Sequence, residues 1–289
     1  MRVDIGGTQL WFDVDGPGLV ADGDEMRARP TVVLLHGGPG GFDHTYFKPD
    51  FSRLARIAQV VYLDLPGHGR SDWGPAEQWS FEQAADDVRA LCDVLGIVDP
   101  IVLGHSFGGP VAIAYAARHP DHPAALILQS TMAFFDLDRV VEGFRQLAGD
   151  GVADIVRRSY LGDDTVTPEE WDRCWQLFGG WVPGAVEKAR TPRNQELNVA
   201  GGELMLRFDL RPALGQVRCP TLISVGGLDP ITPTWAAEEM VAHLPDEIGR
   251  LDVVDGAGHF PWRDSPARYW SSIEGFITSI GWPAGPKEG

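Results

Sequence analysis

The sequence contains few cysteines, and their spacing matches no metal site. Its 289 residues include only three, Cys92, Cys174 and Cys219. An odd number of widely separated cysteines fits neither a disulfide framework nor the paired spacing of zinc ligands. We therefore predict buried free thiols in a cytoplasmic protein, with no metal held by cysteine.

Long hydrophobic runs are also missing. No apolar segment approaches the roughly 18 residues that a membrane span requires. The start of the chain, Met1–Ile5, lacks the basic residues and apolar stretch of a signal peptide. We predict no membrane partner and no secretion signal.

Basic residues are scarce relative to acidic ones. The chain has 24 lysines and arginines against 41 aspartates and glutamates, a formal net charge of −17. Nucleic acids and anionic membrane surfaces both require a basic face, so this charge argues against either partner. The acidic residues are spread along the chain, which is typical of a solvated acidic surface.

Apolar segments of strand length alternate with patterns of helical period. A chain that is 44% apolar can form a sizeable core. Such alternation predicts an α/β fold with a doubly wound, mostly parallel sheet. The expected elements are a β-hairpin over 2–14, a loop over 18–30, strands at 31–35, 60–64, 101–103, 125–128, 221–225 and 250–254, and helices at 50–58, 80–95, 107–118, 234–243 and 265–280.

The alternation stops between residues 132 and 210. This region has amphipathic segments with Trp171, Trp175 and Trp181, broken by glycine and proline, and no pattern typical of a buried strand. We predict a core formed by 1–131 and 211–282, covered by a helical cap over 132–210.

A candidate nucleophile lies where an apolar strand meets a helix. Gly104-His105-Ser106-Phe107-Gly108 matches the Gly-x-Ser-x-Gly elbow in its strand–turn–helix context. This tight turn exposes the serine hydroxyl, and the N-terminus of the following helix points at the group under attack. A chance match in a chain with 35 glycines is the alternative.

A candidate acid and base follow later strands. Asp229 comes after strand 221–225, and His259 lies in a glycine-rich loop after strand 250–254. The carboxyl ends of parallel strands meet at one edge of the sheet, so these residues are expected near Ser106. Ser106 as nucleophile, His259 as base and Asp229 as orienting acid then form a catalytic triad. The alternative for Asp229 is an aspartate that only forms a turn, since proline follows it. The alternative for His259 is a loop histidine with a structural role.

Two backbone N–H groups are candidates for stabilising an oxyanion. One belongs to Phe107, directly after the nucleophile. The other belongs to Gly38 in the loop His36-Gly37-Gly38-Pro39-Gly40, which follows the first predicted parallel strand. Two such donors aimed at one point stabilise the charge that develops on an attacked carbonyl.

These motifs together resemble the α/β-hydrolase superfamily over residues 2–280. The matching segments are 36–40, Asp64-Leu65-Pro66-Gly67-His68-Gly69-Arg70-Ser71, the elbow, 226–229 and 256–259. The His-Gly-Gly-Pro-Gly loop is similar to that of the proline iminopeptidase branch, peptidase family S33. The resemblance implies the α/β-hydrolase fold, a serine acyl-enzyme, no cofactor and a helical cap.

Two departures favour other substrates. That branch usually has Arg-Gly where this chain has Leu65-Pro66-Gly67, and tryptophan or tyrosine where it has Phe107. Both differences look more like hydrolases of small esters, lactones or carbon–carbon bonds. An aminopeptidase also needs a carboxylate for the substrate ammonium. Glu196, and Glu203 beyond it, are candidates, unless they belong to a solvated helix face.

Three functions remain open from the sequence. The first is a serine hydrolase acting on a small carboxylic ester, lactone or amide, and the second is a proline iminopeptidase-like aminopeptidase. The third is a non-catalytic ligand-binding protein. The expected partner is a small molecule or short peptide. Phe260 and Trp262 are candidates for an apolar substrate pocket, with ordinary core packing as the alternative.

Overall fold

The computed structural model describes residues 1–178 and 193–281. The strands in this part of the chain are β1 Arg2–Asp4, β2 Gln9–Asp15, β3 Leu19–Asp22, β4 Glu25–Ala28, β5 Thr31–Leu35, β6 Gln59–Leu63, β7 Ile101–His105, β8 Ala125–Gln129, β9 Thr221–Gly226 and β10 Gly249–Val254. The α-helices are α1 Lys48–Phe51, α2 Phe81–Leu95, α3 Gly108–Arg118, α4 Leu137–Ala148, α5 Asp150–Tyr160, α6 Pro168–Trp175, α7 Gln195–Met205, α8 Arg211–Leu214, α9 Thr234–His243, α10 Pro261–Asp264 and α11 Pro266–Ser279.

Eight strands form one sheet in the order β1-β2-β6-β5-β7-β8-β9-β10. The first two pairings are antiparallel, and every pairing from β6 to β10 is parallel. This confirms the predicted mostly parallel α/β sheet. Its order places β6 on one side of β5 and β7 on the other. The sheet therefore has a topological switch point beside β5, where such folds bind ligands beyond the strand ends.

The predicted elements differ from the observed ones in three places. Residues 18–30, expected to be a loop, contain the short hairpin β3–β4. The helix expected at 50–58 is the short helix α1 followed by a 3-10 helix, Ser52–Arg56. The last helix, expected at 265–280, is α11, but an additional short helix, α10, precedes it and is separated from it at Ser265. Proline at the start of both segments supplies no N–H for a continuous helix.

The sheet has an apolar layer on each face. Side chains of α2, α3 and α9 pack on one face, and those of α1, α10 and α11 pack on the other. Burial of these side chains supplies the main driving force for folding. Both faces of the sheet are thus covered, as expected for strands whose residues are buried throughout.

Helices α4 to α7 lie in the insertion between β8 and β9. Phe134 pairs with Asp209 where the chain enters and leaves this region, and the Leu210 N–H donates to the Ala133 carbonyl at 2.7 Å. Val140, Phe144 and other apolar residues of the insertion belong to the same buried cluster as α1 and α11. Trp181 lies outside the described residues. None of the described helices has the length and apolar character needed to cross a membrane.

Candidate active site

Ser106 occupies a strained turn between β7 and α3. Its φ angle is +52°, a region that residues other than glycine seldom adopt. Its N–H donates to the carbonyl oxygens of Gln129 and Ser130, both at 3.1 Å. Its own carbonyl accepts a hydrogen bond from Thr131 Oγ1 at 2.7 Å. The end of β8 thus holds a backbone strained by on the order of 1–3 kcal/mol, a geometry typical of a nucleophile elbow.

The two glycines of the elbow are required by close backbone contacts. A Cβ atom on Gly104 would lie 2.4 Å from the Gly108 carbonyl oxygen. A Cβ on Gly108 would lie 2.3 Å from the Leu35 carbonyl oxygen on the neighbouring strand. Helix α3 can therefore approach the sheet at this point only if both positions lack a side chain.

Asp229 lies in a buried turn directly after β9. Its Oδ1 accepts hydrogen bonds from the N–H groups of Ile231 at 2.9 Å and Thr232 at 3.0 Å. Its Oδ2 accepts from His259 Nδ1 at 2.8 Å and from the Thr232 hydroxyl. Burial by itself raises the pKa of Asp229, but the electrostatic attraction of the His259 ring and these hydrogen bonds outweigh it, and the pKa is lowered. Asp229 is therefore ionised at neutral pH.

Thr232 was not predicted from the sequence. The local signal that could have identified it is a hydroxyl residue three positions after the aspartate of an Asp-Pro turn.

His259 lies in the loop after β10 and contacts both the elbow and the insertion. Because an ionised carboxylate only accepts, the Nδ1 atom that faces Asp229 carries the proton, which leaves Nε2 as an acceptor in the neutral ring. The His259 N–H donates to the Phe178 carbonyl at 2.5 Å. Its ring centroid lies 4.9 Å from that of His105, the residue before Ser106. The fold thus brings the predicted base into contact with the residue that precedes the predicted nucleophile.

The glycine-rich loop after β5 lies against the elbow. A Cβ on Gly37 would lie 3.2 Å from Ser106 Cβ. The Gly37 N–H donates to the Tyr46 hydroxyl at 2.7 Å, and its carbonyl accepts from His36 Nδ1 at 2.6 Å. Within residues 1–178 and 193–281, by contrast, the N–H groups of Gly38 and Phe107 donate no hydrogen bond. These two predicted oxyanion donors are therefore free for a ligand.

The start of α7 holds this loop in place. Asn198 Nδ2 donates to the Pro39 carbonyl at 3.0 Å, and the Asn194 N–H donates to the Gly40 carbonyl at 3.0 Å. Asn194 Nδ2 also donates to the Gly67 carbonyl at 3.0 Å. Neither asparagine was predicted from the sequence, because their side-chain contacts join segments that are more than a hundred residues apart.

The residues predicted to bind substrate lie in different environments. Glu196 is exposed in the first turn of α7. Phe260 and Trp262 are buried, with exposures of 3% and 1%, and both rings pack against His105. Such burial is typical of core packing, the alternative considered above. A substrate contact for any of these three residues stays a prediction.

One cluster of potential metal ligands lies beside this site. Side-chain atoms of Asp43, His44 and Asp64 lie within 4.8 Å of one another, and all three residues are buried. The oxygens of Asp64 already accept hydrogen bonds from His44 Nδ1, from the His44 N–H at 3.0 Å and from the Arg70 N–H at 3.0 Å. This carboxylate therefore joins the loops after β5 and β6 instead of presenting free lone pairs to a cation.

Sequence comparison gives one family and several relatives. The model of the alpha/beta hydrolase fold family matches residues 30–194. The pimeloyl-[acyl-carrier protein] methyl ester esterase of Chromobacterium violaceum is 31% identical over 250 residues, which cover 83% of this chain and 91% of the relative. The proline iminopeptidase of Heyndrickxia coagulans is 26% identical over 278 residues, or 89% and 93% of the two chains.

Among solved structures, a thermophilic esterase from Thermogutta terrifontis superposes over most of the chain. Its TM-score is 0.71 at 28% sequence identity, with 97% of this chain and 99% of the esterase covered. The whole arrangement of sheet and helices is therefore similar.

Proposed function

Because this chain belongs to the α/β-hydrolase family, we propose that it is a serine hydrolase that cleaves a small carboxylic ester or lactone through an acyl-enzyme. The observation that carries this proposal is the buried hydrogen bond of 2.8 Å between His259 and Asp229, beside the strained turn at Ser106. A neutral histidine oriented by a carboxylate is the base that a serine hydroxyl needs to become a nucleophile.

The chemistry follows from this geometry. Ser106 Oγ attacks the carbonyl carbon while His259 Nε2 takes the hydroxyl proton, and Asp229 stabilises the imidazolium that forms. The N–H groups of Gly38 and Phe107 stabilise the negative oxygen of the tetrahedral intermediate. His259 then gives its proton to the leaving alcohol, and the acyl group stays on Ser106. His259 then takes a proton from a water molecule, which attacks the acyl carbonyl. The proton passes to Ser106 Oγ as the acid is released.

The surroundings of His259 favour an apolar substrate. Six aromatic rings form a closed circuit in which neighbouring centroids lie 4.4–6.0 Å apart: His259, Phe178, Trp175, Phe42, Tyr46 and His105. Three of them, Phe42, Tyr46 and Trp175, are partly exposed. Apolar and aromatic walls with a few polar groups are typical of small-molecule sites. We therefore propose that residues 132–210 act as a cap that contributes part of an apolar acyl pocket.

A proline iminopeptidase-like aminopeptidase is the second candidate. The His36–Gly40 loop and the relative from Heyndrickxia coagulans favour it. An aminopeptidase must also bind an ammonium group, and the exposed position of Glu196 weakens it as the partner, because exposed ion pairs contribute only about 0–1 kcal/mol. The ester or lactone substrate is therefore preferred.

The test compares two substrates on the purified protein. A short-chain aryl ester should be hydrolysed, and a proline arylamide should be a much poorer substrate. Ser106→Ala should lower ester turnover by roughly 10⁴-fold or more, since it removes the nucleophile. Ser272→Ala is the matched control, because the Ser272 hydroxyl is buried without a partner among the described residues.

Labelling of Ser106 by a fluorophosphonate, located by mass spectrometry, tests the covalent step separately. Absence of both labelling and turnover would contradict the proposed function and favour a ligand-binding protein. Rapid arylamide turnover that Glu196→Gln abolishes would favour the aminopeptidase.

A further inference from the structure

A chain of hydrogen bonds runs beneath the candidate site from the oxyanion loop to the base. The Gly37 N–H lies 2.7 Å from the Tyr46 hydroxyl oxygen, and that oxygen lies 2.7 Å from His105 Nδ1. On the far side of the ring, His105 Nε2 lies 3.2 Å from the His259 carbonyl oxygen. Two side chains, Tyr46 and His105, thus connect three segments that are distant in sequence.

The direction of each hydrogen bond follows from the chemistry of its partners. The His259 carbonyl can only accept, so His105 Nε2 carries a proton and donates. Burial lowers the pKa of His105 well below its usual value, so the ring is neutral and Nδ1 holds a lone pair. The Tyr46 hydroxyl therefore donates to Nδ1 and accepts from the Gly37 N–H. Each hydrogen bond then has one donor and one acceptor, with the Tyr46 hydroxyl serving as both, and no alternative direction satisfies all three.

The three segments joined in this way contain the proposed reacting groups. Gly37 precedes Gly38, a proposed oxyanion donor, and His105 precedes Ser106. Because Tyr46 takes the N–H of Gly37, that group is held away from the oxyanion position, and the next N–H, of Gly38, is left free. The His105 side chain meanwhile holds the backbone of His259.

Packing keeps the central ring in one orientation. The His105 centroid lies 4.9 Å from that of Trp262, 5.5 Å from Phe260 and 6.1 Å from Phe47. All three neighbours are buried. A side chain enclosed in this way transmits a displacement at one hydrogen bond to the other, because dense packing leaves no room for it to relax.

We propose that Tyr46 and His105 are positioning residues that set the oxyanion loop and the His259 loop at the correct distance from Ser106. The proposal rests on the proposed function, because it assigns these residues to the transition state of that reaction. In this role Tyr46 and His105 act through their hydrogen bonds to the two loops and not on the reacting atoms. Their contribution is therefore expected in kcat and not in substrate binding, since misplaced catalytic groups lose transition-state stabilisation alone.

The first test is Tyr46→Phe, which keeps the ring and removes the hydroxyl. We expect kcat for the aryl ester and the rate of Ser106 labelling to fall roughly 10- to 100-fold, with KM changed by no more than about twofold. Tyr269→Phe is the matched control, because the buried Tyr269 hydroxyl has no hydrogen-bond partner among the described residues. It should leave all three quantities at the wild-type value.

The second test uses His105. His105→Leu removes both hydrogen bonds and should lower kcat at least as much as Tyr46→Phe. His105→Gln offers one amide acceptor and one amide donor, and should recover most of the lost kcat. The double variant Tyr46→Phe/His105→Leu should be no slower than His105→Leu alone, because residues in one network are not additive.

The outcomes separate this proposal from the proposed function. If Ser106→Ala leaves the wild-type turnover unchanged, the serine mechanism is wrong. If Ser106→Ala abolishes turnover while Tyr46→Phe equals Tyr269→Phe in kcat and labelling rate, the positioning role is wrong. A loss of kcat in Tyr46→Phe that only parallels a loss of folded protein, measured by circular dichroism, also overturns the positioning role.

Discussion

The Nδ1 atom of His259 lies 2.8 Å from Oδ2 of Asp229, and both side chains are buried at the carboxyl ends of β10 and β9. The N–H and hydroxyl of Thr232 also donate to this carboxylate. The ionised carboxylate can therefore hold the imidazole in a single tautomer.

Asp229→Asn tests this relationship. The amide can donate to Nδ1, which favours the wrong tautomer, so we predict that kcat for an aryl ester falls roughly 10³- to 10⁴-fold with the fold retained. Asp255→Asn, an exposed position in the same loop as His259, should leave kcat unchanged. A decrease of less than about tenfold in Asp229→Asn would be too small for an orienting acid.

Two glycine-to-alanine substitutions should have opposite effects on stability. A Cβ on Gly108 would lie 2.3 Å from the Leu35 carbonyl oxygen, whereas a Cβ on Gly275 meets nothing within 4 Å. Gly275 is exposed within α11. We predict that Gly275→Ala raises the free energy of unfolding by about 0.5–1 kcal/mol, the usual gain of alanine over glycine within a helix.

Gly108→Ala should lower the free energy of unfolding by several kcal/mol, because overpacking displaces the backbone. Urea denaturation of the two variants gives both values. A Gly108→Ala protein as stable as the wild type would show that α3 can move away from the sheet.

Stability should decrease in mild acid because three buried histidines are neutral in the folded protein. Burial lowers the pKa of His36, of His105 and of His68, the last to about 3. The unfolded chain titrates near 6.5, so below that pH it binds protons that the folded chain does not. Each histidine then removes up to about 1.4 kcal/mol of stability per pH unit.

Urea midpoints measured between about pH 7 and about pH 5 test this, because the carboxylates with lowered pKa values lose their contribution below about pH 5. His68→Gln, which cannot take up a proton, should show a shallower decrease. An unchanged slope in that variant would mean that His68 is protonated in the folded protein.

The three thiols should be unreactive in the native protein. Burial raises the pKa of Cys92 to about 12 and those of Cys174 and Cys219 to about 11. Only the thiolate reacts with disulfide reagents. We therefore predict no reaction with an aromatic disulfide reagent near pH 8 until the chain unfolds. Unfolding in urea should then release three equivalents, since all three cysteines are free. Fast reaction of any of them without urea would contradict their burial.

Much of the fold was predictable because its signals are local. Continuous apolar runs marked the parallel strands, and the β5, β7 and β9 segments lie where they were expected. The hairpin β3–β4 was missed, although a two-residue Gly23-Asp24 connection is a hairpin signal. Its strands are short and mostly exposed, so no hydrophobic alternation distinguished them from a loop.

Apolar runs were enough to predict the sheet and to place Ser106, Asp229 and His259 after its strands, because parallel strands bring their carboxyl ends to one edge wherever they pair. The groups that support those residues could be identified only from contacts made in the folded protein. Tyr46 is 59 positions from His105, and His105 is 154 positions from His259. No periodicity or motif encodes such hydrogen bonds, since they depend on how separate loops pack together at the switch point of the sheet.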